Sequence, residues 1–266
     1  MTTNTISLVD SHCHLDRLDL SRDEGQLASA LLRAQDQGVQ HMLCVSIDLE
    51  AWPAMCKAVE PFDQVSVSVG VHPNEDEGEE PSVATLTELA QHPRVVAIGE
   101  TGLDYFRSEG DLDWQRDRFR VHIEAAKQTG LPLIIHTREA REDTLAIMQS
   151  ENAQQAGGVM HCFAEDWDTA KRAMDMGFYI SFSGIVTFKN AQTLKDVAQR
   201  VPVDRMLIET DSPYLAPAPY RGKPNEPSYV RHVAEHIAEL RGMKVEDIAA
   251  VTTENFYRLF KKAAIS

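Results

Sequence analysis

The chain has 266 residues, 43% of them hydrophobic and 25% charged, enough apolar material for a large core and too much for a disordered chain. A formal net charge of −15 excludes coating of nucleic acid through a basic face, so any contact with phosphate has to come from local cations at a site. No run approaches the ~18 apolar residues of a spanning helix, and the first residues lack the basic leader and apolar stretch of a signal peptide, so a cytoplasmic protein with no membrane association is expected.

In chain order, short β-rich runs alternate with longer helical patterns. Strands are predicted at 6–14, 41–48, 65–72, 95–102, 131–137, 158–163, 178–185 and 206–211. Most are nearly continuous apolar runs, as strands covered on both faces should be. Helical spacing marks 24–37, 112–128 and 166–176, and Gly38, Gly130 and Gly177 follow these segments where left-handed caps would end them. The acidic stretch 74–80 reads as a solvated loop, and the sequence from Pro227 onward as two helices parted near Gly242. Cys13, Cys44, Cys56 and Cys162 show no CxxC spacing, and reduced thiols are expected.

This alternation predicts an α/β protein, a single (β/α)8 TIM barrel occupying 1–266 as one domain, for which about 250 residues suffice. An open doubly wound sheet uses the same grammar. The polar residues that end the strands decide between them, because only a closed barrel gathers the ends of strands one, four, five, six and eight at one mouth, its C-terminal face.

Those polar residues carry the chemistry. His12 and His14 alternate on the first strand and so share a face, with Cys13 turned the other way. His136 closes LPLIIH and His161 closes GVMH, while Glu100 closes VVAIGE and Asp211 closes MLIETD. A carboxylate at the end of a buried strand needs a counter-charge, since an unpaired charge there costs several kcal/mol. Four imidazoles and two carboxylates supply enough donors for two divalent cations, which would place a metal site at the C-terminal face of the strands.

The motifs DSHCHLD (10–16), GVHP (70–73), IGETGLDY (98–105), HTR (136–138), MHCF (160–163), SFSG (181–184), ETDSPYL (209–215) and RGKPNEP (221–227) run nearly end to end. In that order the chain resembles the TatD family of metal-dependent deoxyribonucleases, within the amidohydrolase-type barrel superfamily. The resemblance implies that His12, His14 and Asp211 hold one metal, that His136 and His161 hold the other, and that Glu100 bridges them. It also implies a DNA substrate, with 3'-5' exonuclease action on single-stranded ends as one form of the activity. Glu100 stands where many amidohydrolase relatives carry a carboxylated lysine, which suits the nuclease branch.

The expected reaction is attack of a metal-activated water on phosphorus, with Asp211 receiving its proton and Glu100 essential to turnover. Zn, Mn and Mg remain open as the metal, because the histidine-rich donors favour a transition ion and the resemblance points to Mg. Arg138 is the first candidate for phosphate binding, with a structural ion pair as the alternative; Arg221, Lys223 and Asn225 follow, with solvated charge the alternative for the two cations. His72 is expected to touch substrate or to orient a ligand, and Glu209 to orient a histidine. Tyr105, Phe106 and Tyr214 are candidates to stack on a base or to pack at the rim. Cys13 and Cys162 are read as small core residues, and a monomer is expected. The rival reading is an amide or ester hydrolase acting on a small substrate, and a module that has lost catalysis is disfavoured because no candidate ligand is missing.

Overall fold

The computed structural model describes residues 6–265. Eight strands each lead to a helix or helical segment, beginning β1 (Leu8–Cys13), α1 (Leu27–Asp36), β2 (Val39–Cys44), α2 (Trp52–Val59), β3 (Val65–Val69), α3 (Val83–Leu89), β4 (Val95–Asp104) and α4 (Asp113–Thr129). The series continues with β5 (Leu133–Arg138), α5 (Arg141–Ser150), β6 (Gly158–Met160), α6 (Trp167–Asp175), β7 (Tyr179–Phe182), α7 (Gln192–Arg200) and β8 (Met206–Ile208), and ends with α8 (Val230–Arg241) and α9 (Val245–Leu259). The strands follow one another in the sheet in chain order, the (β/α)8 arrangement expected from the alternation. Among the described residues, no helix is long and apolar enough to cross a membrane.

The chain contacts group into two compact units. One takes the described residues up to Cys44 with Cys162–Trp167 and Ser181–Arg258; the other takes Val45–His161, Asp168–Ile180 and the residues from Leu259 onward.

In the first unit β1 pairs in parallel with β2, and its far side is clamped to the segment beyond β8. The Asp211 N–H donates to the His12 carbonyl at 2.9 Å and the His14 N–H to the Ser212 carbonyl at 2.8 Å. Helix α8 buries Val233, Ala234 and Ile237, and α9 buries Ile248 and Phe256, spacings that put one apolar stripe on each helix. Gly242 ends α8 in a left-handed conformation (φ 62°), as its position predicts. Helix α1 starts at Leu27 and not at 24, because Ser21–Asp23 form a 3-10 turn and Glu24 and Gly25 both take positive φ.

The second unit carries β3 to β6 and the first residues of β7. β4 is buried along its whole length and pairs with β5 in the register Gly102↔His136 and Asp104↔Arg138. Gly102 lies at φ +132°, and a Cβ there would collide with the His136 carbonyl, so glycine is what lets these two strands meet beside the site. Helix α4 buries Phe119, Ile123 and Ala126 on one side, and it also buries Gln115, Arg118 and His122, whose side chains tie the loops after β3 and β4. The stretch 74–80 is largely exposed, with two anchors the sequence does not advertise: Arg118 pairs with Glu80, and the Asn74 amide donates to Asp104.

β6 and β8 are shorter than predicted. They stop at Met160 and Ile208, and His161 and Asp211 lie just past the ladder. Positive φ at Cys162 (42°) and Asp211 (56°) turns the backbone out of the strand there.

Candidate metal centre

In the first unit, the two-residue alternation of β1 sets His12 and His14 side by side. Their Nε2 atoms are 3.3 Å apart, and the Asp211 carboxylate completes a triangle, with Oδ1 3.7 Å from His12 Nε2 and 3.4 Å from His14 Nε2. All three residues are buried. Donors about 2.1 Å from a tetrahedral ion stand ~3.4 Å from one another, so the edges of this triangle match the chemistry of a divalent site. The left-handed backbone of Asp211 costs an ordinary residue about 1 kcal/mol or more, and aspartate tolerates it better than most.

In the second unit, three imidazoles converge on one oxygen. Glu100 Oε1 lies 2.6 Å from His161 Nε2, 3.2 Å from His136 Nδ1 and 3.4 Å from His72 Nε2. Burial alone would lower the His136 imidazole, but hydrogen bonds to Asp104 and Glu100 outweigh it and raise its pKa. For His72 burial prevails over Glu100 and the pKa falls. The nitrogen, oxygen and spacing of this cluster also suit a divalent ion, with the His161 contact as short as a charge-assisted hydrogen bond. Among the described residues, no candidate ligand cluster contains a cysteine.

The predicted supporting residues divide by what they touch. Arg138 is half-buried and its guanidinium lies 3.8 Å from the centroid of the Phe106 ring, which is itself 55% exposed. Among the described residues no ion pair engages Arg138, so its charge is available near His136. Arg221 is exposed and stacks over Phe188 at 4.4 Å, and Lys223 lies 5.9 Å from the Tyr220 ring. Asn225 is buried, and its amide donates to the Thr210 carbonyl at 2.8 Å and the Tyr214 carbonyl at 2.6 Å. Both of its N–H donors are spent holding the loop after β8, which leaves it a clamp for the Asp211 segment.

His72 stands against Glu100, with Nε2 3.4 Å from Oε1. Glu209 accepts from the Cys162 N–H at 2.8 Å and so fixes the turn that follows His161. The Tyr105 hydroxyl donates to Asp143 at 2.7 Å and accepts from Arg116 at 3.0 Å, while Tyr214 is 47% exposed with its ring 5.9 Å from that of His14. The Cys13 thiol donates to the Leu43 carbonyl at 3.4 Å, and burial pushes its pKa well up. Cys162 Sγ lies 3.2 Å from Ser183 Oγ.

Two acids near the ligands escape the sequence reading. Asp104 is buried, and its Oδ2 accepts from His136 Nε2 at 3.1 Å, the carboxylate partner that a ligating imidazole needs. Burial would raise the Asp104 carboxyl, yet hydrogen bonds from His136, Asn74 and the Arg107 N–H hold it far below the usual range. Asp10, beneath His12 on β1, is pushed up to about 8 by burial even though Thr210 donates to both of its oxygens.

Comparison with known proteins shows the family to which the chain is similar. A family model described as "TatD related DNase" matches residues 9–261. The metal-dependent hydrolase YcfH of Escherichia coli (strain K12), described as uncharacterized, is 49% identical over 95% of this chain and 95% of its own. A 3'-5' ssDNA/RNA exonuclease TatD from Erwinia tasmaniensis is 34% identical, covering 86% of this chain and 91% of its own. The crystal structure of YjjV, a TatD homologue from Escherichia coli K12, superposes with a TM-score of 0.88 at 28% identity, over 97% of this chain and 99% of that one.

Proposed function

The chain belongs to the TatD family of metal-dependent hydrolases, and from that premise we propose that it is a phosphodiesterase cleaving nucleic acid, acting 3'-5' on single-stranded DNA ends. The observation that carries the reading is the geometry of the two donor clusters. His12, His14 and Asp211 would hold one divalent ion, and Glu100, His136 and His161 a second. Neutral nitrogen and carboxylate oxygen donors, with no thiolate, suit Zn, Mn or Mg. Such ions, when bound, lower the pKa of water and neutralise charge growing on phosphoryl oxygens.

The remaining work falls to the chain. Asp211, whose side chain keeps 13% of its surface open, is the group to receive the proton of the attacking water. Glu100 draws His136 and His161 to one point and supplies the negative charge that an ion needs there. Arg138, with its guanidinium over the Phe106 ring and no ion pair among the described residues, would engage a phosphate as a fork. Arg221 and Lys223 add exposed positive charge on the loop after β8, in a protein whose net charge of −15 offers none in bulk.

The test is a side-by-side assay of single-stranded DNA, RNA, and small ester and amide substrates, with chelator treatment and metal add-back. Metal-dependent release of nucleotides from single-stranded DNA is the expected result. Turnover confined to the ester or amide substrates would overturn the reading in favour of an amidohydrolase-type reaction.

A further inference from the structure

Asn74 reaches two of the three imidazoles that converge on Glu100, His72 directly through its backbone and His136 by way of Asp104. Its N–H donates to His72 Nδ1 at 3.0 Å, and its side-chain amide donates to Asp104 Oδ2 at 2.9 Å. The same Asp104 oxygen accepts from His136 Nε2. The amide itself is held by Ser108, whose hydroxyl lies 3.4 Å from Asn74 Oδ1. Gln115 closes the frame, donating to the Pro73 carbonyl at 3.0 Å and to Ser108 at 3.2 Å while accepting from the Asp104 N–H at 2.8 Å.

The consequence lies in where each ring keeps its proton. An anionic carboxylate only accepts, so His136 carries a hydrogen on Nε2 toward Asp104, and with a cation standing between Nδ1 and Glu100, as its reading as a ligand requires, Nδ1 is left to present a lone pair. His72 accepts at Nδ1, so it also carries its hydrogen on Nε2, but there Nε2 is the atom that faces Glu100. The two rings share one tautomer and present opposite ends: His136 offers a lone pair to a cation, and His72 offers an N–H to the carboxylate.

We propose that Asn74 is a positioning residue for the metal centre, holding His136 as an Nδ1 ligand through Asp104 and His72 as a hydrogen-bond donor to Glu100. The proposal rests on the reading of His136 as a ligand and is independent of which bond the enzyme cleaves. It makes His72 a partner of the carboxylate and removes it from the ligand set, although its nitrogen lies within ligand distance of Glu100 and His136.

The experiment measures zinc affinity by chelator competition, and histidine tautomers by 15N resonances of the zinc-loaded protein, in Asn74→Ala, Asp104→Asn and the double variant. Asn74→Ala should lower affinity by about 10- to 100-fold, the usual effect of losing a ligand's supporting partner. It should loosen His136 and leave His72 an Nε2–H ring, because the backbone N–H survives. In the Asp104→Asn background the second substitution should add little, since both act along one path. Full additivity of the two losses, or a fall in melting temperature with zinc affinity unchanged, would overturn the proposal and reduce Asn74 to a loop brace. Loss of affinity in a protein that proves inactive on nucleic acid would sustain it while the proposed reaction fails.

Discussion

His12 and His14 bring their Nε2 atoms to 3.3 Å, with the Asp211 carboxylate oxygen 3.7 Å from the first and 3.4 Å from the second. Two imidazole lone pairs at that distance repel unless a proton or a cation lies between them, and the carboxylate supplies the charge that favours the cation. Asp211→Asn keeps the shape and removes the charge. The variant should lose one equivalent of divalent ion after dialysis, read by metal analysis, and its turnover should fall by more than the ~100-fold expected from a supporting residue. Full metal content and near wild-type turnover would detach Asp211 from the site.

Arg138 should act on substrate affinity more than on the chemical step. A charge-assisted hydrogen bond to phosphate contributes about 1.5–3 kcal/mol, so Arg138→Ala should raise KM for a single-stranded oligonucleotide ~10-fold or more at fixed salt. Arg138→Lys should recover little, because an ammonium lacks the planar fork that stacks on Phe106. Steady-state kinetics at one ionic strength check this, and an unchanged KM would leave the guanidinium with only the ring to pack.

The clustering of the six candidate ligands was legible because the rules that reveal it are local. Polar residues closing apolar strands, and the two-residue alternation of His12 and His14, survive any error in strand length; β6 and β8 end early without moving His161 or Asp211 away from the strand ends. Asp104 was accessible to the same rule. It continues the alternation Glu100, Gly102, Asp104, but the predicted strand stops at 102, two residues short of β4. Asn74 was not accessible, because its meaning comes from a partner 30 residues away in the next βα unit. Asn225 shows the opposite limit: a polar residue in a loop of this fold suggests ligand binding, and backbone carbonyls that only the folded loop brings near take both of its donors.

Stability should fall as the solution is acidified below neutrality, with His122 a named contributor. Its ring is buried, accepts from the Val71 N–H at Nε2 (2.9 Å) and meets the Arg118 carbonyl at Nδ1 (2.8 Å), an arrangement for the neutral form. Burial drives its pKa from 6.5 down to about 4. The unfolded chain therefore binds the proton first, so this stabilisation is complete above pH 6.5 and is lost as pH falls toward 4, up to about 3 kcal/mol. His41, also lowered to about 4 by burial, adds a slope of the same sign. Denaturant unfolding between pH 4 and 7 should show His122→Gln with a shallower dependence than wild type; parallel curves would remove His122 from the account.

Arg33 should matter to stability far more than its partial exposure suggests. Its guanidinium grips Asp23 as a fork, at 2.6 and 2.8 Å, and also donates to Glu226 Oε2 at 2.9 Å. The two carboxylate side chains keep only 5% and 8% of their surface open, and Arg22 is the other cation beside them. Arg33→Ala leaves the two acids sharing Arg22, so the loss should exceed the ~1 kcal/mol upper range of an ordinary surface pair. Glu226 adjoins Asn225, which clamps the segment bearing Asp211, so the variant should also bind metal more weakly. Urea midpoints and zinc titration test both parts: a change below about 1 kcal/mol would class the cluster with ordinary surface pairs, and intact zinc affinity in a destabilised variant would separate the cluster from the metal site.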